Sequence, residues 1–300
     1  MTIKALSPLP GRPVIFGEVL FDCFPDGQAV LGGAPFNVAW HLQGFACSPL
    51  MISSVGADVH GDKVRATMHE WGMDDSGLQR SEHYPTGQVS VHFRGGQPSY
   101  DIVTNQAYDH INLPTALASM EGQQVALIYH GSLALRKASS QQTLDALLAE
   151  TGTPIFLDLN LRAPWWETSL LEKILQRATW VKLNDEELCE VTGHPLTGGT
   201  ELQSYAKALF ERCRLERLIV TQGAQGAFVL SNEGVVEGQP VPVTNIIDTV
   251  GAGDAFSAVT IMGILKGWPI QHTLDRALAF ASAICQQRGA TAQNADLYQS

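Results

Sequence analysis

Asp248-Thr249-Val250-Gly251-Ala252-Gly253-Asp254-Ala255-Phe256 sets three small residues and an aspartate directly before Ala255 to Leu265, an apolar stretch whose composition suits a helix. Small residues let backbone approach a ligand closely. A helix that opens here leaves its first N–H groups unpaired and turns its positive dipole end outward, which makes the segment a cradle for an anion. Asp254 falls in the first helical turn. A carboxylate there can accept a proton from an alcohol attacking a bound phosphate. An aspartate capping a helix after a glycine turn explains the same residues without a ligand, and for a bare Gly-x-Gly-Asp it suffices.

Outward from that helix, short β-branched runs alternate with longer amphipathic stretches. Strands are expected at Val14-Ile15-Phe16, ending near Asp22, and at Leu50 to Ile52, Val125 to Tyr129, Pro154 to Leu157, Trp180 to Leu183 and Leu218 to Thr221. Helices are expected over Asn37 to Leu42, Asp62 to Trp71, Thr143 to Ala149, from about Asn184, and over Ala252 to Leu265 and Thr273 to Gln286. Alternation of this kind builds βαβ units, and hence an α/β fold with a mainly parallel central sheet and helices on both faces. Two segments break the rhythm. Phe21 to Leu31 and Gly87 to Val103 look like strands with no helix beside them, and the second alternates about Arg94-Gly95-Gly96-Gln97 as a hairpin does. A small separate sheet acting as a lid is one use for them, and a plain edge hairpin is another.

Three further motifs bear on chemistry. Gly32-Gly33-Ala34-Pro35-Phe36-Asn37 exposes backbone amides and offers an amide side chain that both donates and accepts, as a polyhydroxylated ligand needs; a turn and helix cap also account for it. Thr221-Gln222-Gly223-Ala224-Gln225-Gly226 follows a strand directly, at the edge where ligands of open α/β sheets gather, or simply turns the chain. Asn184-Asp185-Glu186-Glu187 also follows a strand. Its oxygens could orient Mg²⁺ through water, and an N-cap with acids in the first helical turn fits equally.

Composition removes other classes. The 300 residues carry 19 basic and 30 acidic side chains, a net charge of −11, which disfavours a nucleic-acid surface. Five scattered cysteines without a Cys-x-x-Cys pair argue against a disulfide framework or a structural zinc site and fit a reducing cytoplasm. No signal-peptide pattern or run of membrane-helix length is present, so neither a membrane span nor export is expected. Gly56 to Lys63 lacks the order of a P-loop, and no dinucleotide fingerprint, hydrolase elbow or His-Glu-x-x-His occurs.

Taken together and in this order, the four motifs resemble the ribokinase-like (PfkB) carbohydrate kinases, from about Val14 to Thr291. The resemblance implies one kinase domain over residues 1–300, with lid segments at about 21–31 and 87–103, using ATP and Mg²⁺. It implies Asp254 as catalytic base, with Gly251, Ala252 and Gly253 as its anion hole. Asp22, Gly32, Gly33 and Asn37 match the sugar side; Asn184 and Glu187 the Mg²⁺ and phosphate-water side; Thr221, Gly223 and Gly226 the nucleotide side. Arg162 is a substrate-binding candidate that could hold phosphate or a polar substrate group, or simply pair with a surface acid. Asp248 and Val250 match positions whose carbonyls hold K⁺ in many members. Gly17-Glu18-x-x-x-Asp22, Gly-Gly-Ala-Pro-Phe-Asn and Asp158-Leu-Asn160-Leu-Arg162 look most like the fructokinase branch, which implies fructose. The alternatives are a 2-keto-3-deoxygluconate, ribose or nucleoside kinase, or a non-catalytic sugar-binding protein of the same fold. A homodimer through an exposed apolar face of the lid is also expected.

Overall fold

The computed structural model describes residues 7–94, 97–196, 198–243 and 245–299; Gly95 and Gly96 of the expected hairpin turn lie outside them. In chain order the first elements are β1 (Arg12–Phe16), β2 (Leu20–Cys23), β3 (Ala29–Gly32), α1 (Ala34–Gly44), β4 (Leu50–Gly56), α2 (Val59–Glu70) and β5 (Leu78–Ser81). There follow β6 (Gly87–Arg94), β7 (Gln97–Ile102), α3 (Leu113–Met120), β8 (Val125–His130), α4 (Ala138–Thr151), β9 (Ile155–Asp158) and α5 (Thr168–Arg177). The last are β10 (Trp180–Asn184), α6 (Asp185–Thr192), α7 (Gly199–Cys213), β11 (Arg217–Thr221), β12 (Ala227–Ser231), β13 (Gly234–Gly238), α8 (Ala252–Lys266) and α9 (Ile270–Ile284).

Nine strands form the main sheet in the order β13-β12-β11-β10-β9-β8-β1-β4-β5. The ladder from β11 to β5 is parallel, and β12 and β13 close the other edge as an antiparallel pair. Successive side chains of a strand point to opposite faces, and the core divides accordingly. Ile15, Met51, Leu127, Phe156 and Ile219 pack with α1, α2, α8 and α9. Val14, Phe16, Ile52, Leu157, Val181 and Val220 pack with α3 to α7. Helices therefore cover both faces, which explains why the inner strands read as continuous apolar runs.

The second sheet has the order β3-β2-β6-β7 and is built from the two segments that break the strand–helix rhythm. The first strand does not run on to Asp22, as the sequence suggests. β1 stops at Phe16, and Gly17, at φ +153, turns the chain out of the main sheet. The ring of Pro35 fills the place a Gly17 Cβ would need, so a side chain there would obstruct the turn. Asp22 consequently sits on β2, in the small sheet. Leu20, Val89, Val91 and Ile102, and Phe21 on the opposite face of the sheet, are buried within the chain, so these side chains offer no exposed apolar face for the expected dimer. Of the described large apolar side chains in this sheet, Tyr100 is the exposed one. Among the described residues no helix is long and apolar enough to cross a membrane.

Candidate active site

Parallel strands deliver their C-terminal ends to one edge of the sheet, where ligands of such folds collect. Here that edge receives Glu18 after β1, Asp158 at the end of β9, Lys182 and Asn184 on β10, and Thr221 at the end of β11. The chain re-enters the edge from the far end of the sequence at Gly251, the N-cap of α8, with φ +81. Gly251 lies against Ala290: a Cβ at Gly251 would fall 2.4 Å from that of Ala290, so no larger residue fits. The amides of Gly253 and Asp254 donate to no backbone carbonyl among the described residues, as the first turn of a helix requires. The Nζ of Lys182 stands 3.2 Å from where a Gly253 Cβ would be. Open amides, a helix N-terminus and an ammonium thus meet at one point, an arrangement that favours an anion.

Asp254 and Asn37, distant in sequence, are in contact. Asn37 Nδ2 donates to Asp254 Oδ2 at 2.7 Å. Asn37 lies in the first turn of α1, directly after Gly32-Gly33, and is 4 % exposed. Asp254 keeps some surface open to the pocket, yet the protein around its carboxyl raises its pKa to about 6. Burial is the main cause, and nearby Asp158 adds to it; the Asn37 bond, Lys182 and Arg162 oppose. A carboxylate poised near neutrality, hydrogen-bonded and partly desolvated, is a suitable general base.

Two groups to which the motifs assigned no role complete the floor. Lys182 and Asp158 form a buried ion pair, with Nζ 3.0 Å from Oδ1, and Ser257 Oγ donates to Asp158 Oδ2 at 2.7 Å. Burial works against the Lys182 ammonium, but Asp158, Glu187 and Asp254 outweigh it and its pKa is raised. A lone lysine inside the apolar run Trp180 to Leu183 is the sequence signal for it, since an unpaired charge is rarely buried. Glu18 is 2 % exposed, and its Oε2 has no hydrogen-bond partner. Burial raises its pKa to about 7, with its own backbone N–H opposing and Asp254 reinforcing the shift.

The other expected residues fall as follows. Asp22, on β2, has its pKa raised by burial against the opposing charge of Arg162. Arg162 is exposed and makes no ion pair among the described residues, although its field reaches Glu18, Asp22 and Asp254. Asn184 and Glu187 form a capping box at the start of α6: Asn184 Oδ1 accepts from the Glu187 amide at 2.7 Å, and Glu187 Oε2 accepts from the Asn184 amide at 2.9 Å. Glu187 Oε1 also accepts from the Leu161 amide at 2.7 Å and so anchors the turn that carries Arg162. The helix-cap reading of this motif is therefore realised. Thr221 ends β11, and Gly223 and Gly226 take φ of +54 and +93 in the turn to β12. The carboxylate of Asp248 accepts from the amides of Val250 at 3.0 Å and Gly289 at 3.2 Å, joining two loops. The carbonyl oxygens of Asp248 and Val250 accept no hydrogen bond among the described residues. No cluster of three or more metal-ligating side chains occurs among them.

Residues 24–296 match the family model described as pfkB family carbohydrate kinase. A 1-phosphofructokinase from Haemophilus influenzae is 38 % identical over 302 residues, covering 95 % of this chain and 88 % of its own. A fructokinase from Klebsiella pneumoniae is 28 % identical, covering 95 % and 94 %. Among solved structures, an uncharacterised sugar kinase from Pyrococcus horikoshii in complex with ATP superposes with a TM-score of 0.78 at 26 % identity, over 93 % of this chain and 94 % of that one. A fructokinase from Vibrio cholerae, in a form with fructose, ADP and potassium, shares the fold with a TM-score of 0.80 at 23 % identity, over 97 % and 98 %. The chain belongs to the pfkB family of carbohydrate kinases.

Proposed function

We propose that this ATP-dependent sugar kinase acts on a small neutral sugar, with fructose the leading substrate, and that Asp254 is its base. The observation that carries the reading is the Asn37–Asp254 bond, which brings the glycine-rich segment of β3–α1 to the anion cradle of α8. In this reading Asp22, Gly32, Gly33 and Asn37 hold sugar hydroxyls. Asp254 takes the proton as one hydroxyl attacks the γ-phosphorus, and the Gly251, Ala252 and Gly253 backbone stabilises charge on the group in transfer. Lys182 adds a positive charge beside that backbone. Thr221, Gly223 and Gly226 line the nucleotide side. Closure of the small sheet keeps water from competing as the acceptor.

The donor set suits magnesium bound mainly through ATP phosphates, not a protein cage, since Mg²⁺ typically keeps waters and takes one or two carboxylates. Glu187, with Asn184 beside it, is the carboxylate to orient those waters; the ion would neutralise phosphate charge. The unpartnered carbonyls of Asp248 and Val250 suit K⁺.

The surroundings favour a neutral acceptor. Glu18, Asp22 and Asp254 all feel the charge of Arg162, which makes no ion pair among the described residues, and burial raises the pKa of each. A second reading, a sugar already phosphorylated once, draws on that free guanidinium and on the 1-phosphofructokinase relative. The experiment is an ADP-release panel with ATP, Mg²⁺ and K⁺, in which fructose, ribose, 2-keto-3-deoxygluconate, a nucleoside and fructose 1-phosphate compete. Fructose is expected to give the largest kcat/KM. Preference for fructose 1-phosphate, abolished in Arg162→Ala, would establish the second reading, and turnover of none would leave only a sugar-binding role.

A further inference from the structure

The last described turn of the chain is tied to the anion cradle through a short series of contacts. Tyr298 is half-buried, and its hydroxyl lies 2.9 Å from His41 Nδ1 and donates to the Ala292 carbonyl at 3.0 Å. The same carbonyl accepts from Trp40 Nε1 at 2.8 Å. The Tyr298 ring rests on the last turn of α1, where its carbons lie 2.5–2.7 Å from the position of a Gly44 Cβ. Phe45, Trp71 and Phe280 surround it. Trp40 and His41 are 1 % and 0 % exposed. Burial holds the His41 ring neutral, its pKa lowered to about 3, and the Ala290 carbonyl is the backbone group that opposes this.

The loop held in this way bears directly on the cradle. Ala290 packs on Gly251, and Gly289 donates to Asp248. Helix α1 therefore serves both halves of the site. Asn37 in its first turn touches Asp254, while Trp40 and His41, three and four residues later, lie on the same side of the helix and grip residues 290–292.

We infer that residues 289–298 form a strap whose hydrogen bonds to Trp40 and His41 set the position of the phosphate-binding loop, and that Tyr298 is a positioning residue for the nucleotide. This rests on the phosphoryl-transfer reading of that loop. Both hydrogen bonds end on α1 beyond its first turn, so losing them frees residues 289–298 while Asn37 keeps its own bond to Asp254, and the Gly251 loop should loosen more than the sugar side.

The test is Tyr298→Phe, which keeps the ring on Gly44 and deletes only the hydroxyl. The KM for ATP, and the ATP dissociation constant by calorimetry without sugar, should rise about three- to tenfold, the scale of one or two lost hydrogen bonds. The sugar KM should stay within about twofold and the melting temperature within about 4 °C. Asp248→Ala releases the same loop at Gly289 and should give the same split even if Tyr298→Phe folds poorly. An unchanged ATP affinity in both variants, or equal rises in both KM values, overturns the strap. Calorimetry with ATP alone reads it whether or not any sugar is turned over, so the two readings fail separately.

Discussion

In the proposed reading, the sugar wall and the nucleotide edge meet at Gly251 to Asp254 but are built from different materials. The sugar wall adds buried side chains to the Gly32-Gly33 turn: Glu18 and Asn37 are nearly inaccessible, Asp22 is half-buried, and burial raises the pKa of each carboxyl. The nucleotide edge is made of backbone, with Gly223, Gly226 and Gly251 in positive-φ conformations. The segment leading into the cradle leaves Ile246, Ile247 and Val250 exposed. A phosphate needs amides and a dipole, which any sequence with small residues can supply. A particular hydroxyl needs placed acceptors and a tuned base, and those depend on burial. The nucleotide edge accordingly suits a donor shared across a family, and the sugar wall is where acceptors can be told apart.

The largest expected effect falls where the two regions join. Asp254→Asn should lower kcat by about 10²- to 10⁴-fold, the usual worth of a general base, while ATP binding stays close to that of the parent. The pH profile gives the sign. The base acts as carboxylate, and its pKa is raised to about 6, so turnover should be full above that value and fall as pH drops through it. The variant should lack this limb. Asn at 254 with more than about a tenth of parental kcat would remove the base from the sugar wall and leave Asp254 a helix-capping residue.

The two materials were unequally visible in the sequence. Glycine patterns are local, so Gly32-Gly33, Gly223-x-x-Gly226 and Gly251-Ala-Gly253 mark their turns without help from the fold. The alternation of strands and helices was equally legible, because sheet faces and helix stripes leave periodic traces. Three helices escaped. α3 does carry start signals, a capping Asn112 and Pro114 in its first turn, but it is only eight residues long, whereas α5, after the loop of Trp165 and Trp166, and α7, opening on Gly198-Gly199, have no side-chain cap. The pairings Lys182–Asp158 and Asn37–Asp254 could be read only from three dimensions, since each joins separate elements. The strand end expected near Asp22 went astray because a single glycine at position 17 moves the chain between sheets.

A smaller effect sharpens the contrast from the sugar side. The Asn37 bond favours the charged form of Asp254. In Asn37→Ala that support is gone, so the pKa of the base should rise and the acid limb of kcat should move to higher pH. Sugar KM should rise as well, with ATP KM little affected, because Asn37 belongs to the side-chain wall. A limb that stays in place or moves to lower pH would mean that the bond does not tune the base.

The smallest effect comes from two glycines of one turn. At Gly226 a Cβ would lie 2.1 Å from the Gly238 carbonyl of β13, at φ +93, so Gly226→Ala must displace backbone and should cost about 1–3 kcal/mol of stability. At Gly223, with φ +54, no atom lies within 4 Å of a Cβ, and alanine should cost only about 1 kcal/mol for its left-handed backbone. The open space above Gly223 is the discriminating feature. If the nucleotide occupies it, the added methyl meets ATP instead of protein, and Gly223→Ala should raise the ATP KM about two- to fivefold while sugar KM and melting temperature hardly move. Gly226→Ala should instead lower the melting temperature first. An unchanged ATP KM in Gly223→Ala would mean that the turn contributes to the fold and the nucleotide lies elsewhere along the edge, which would confine the backbone-built region to the cradle at Gly251.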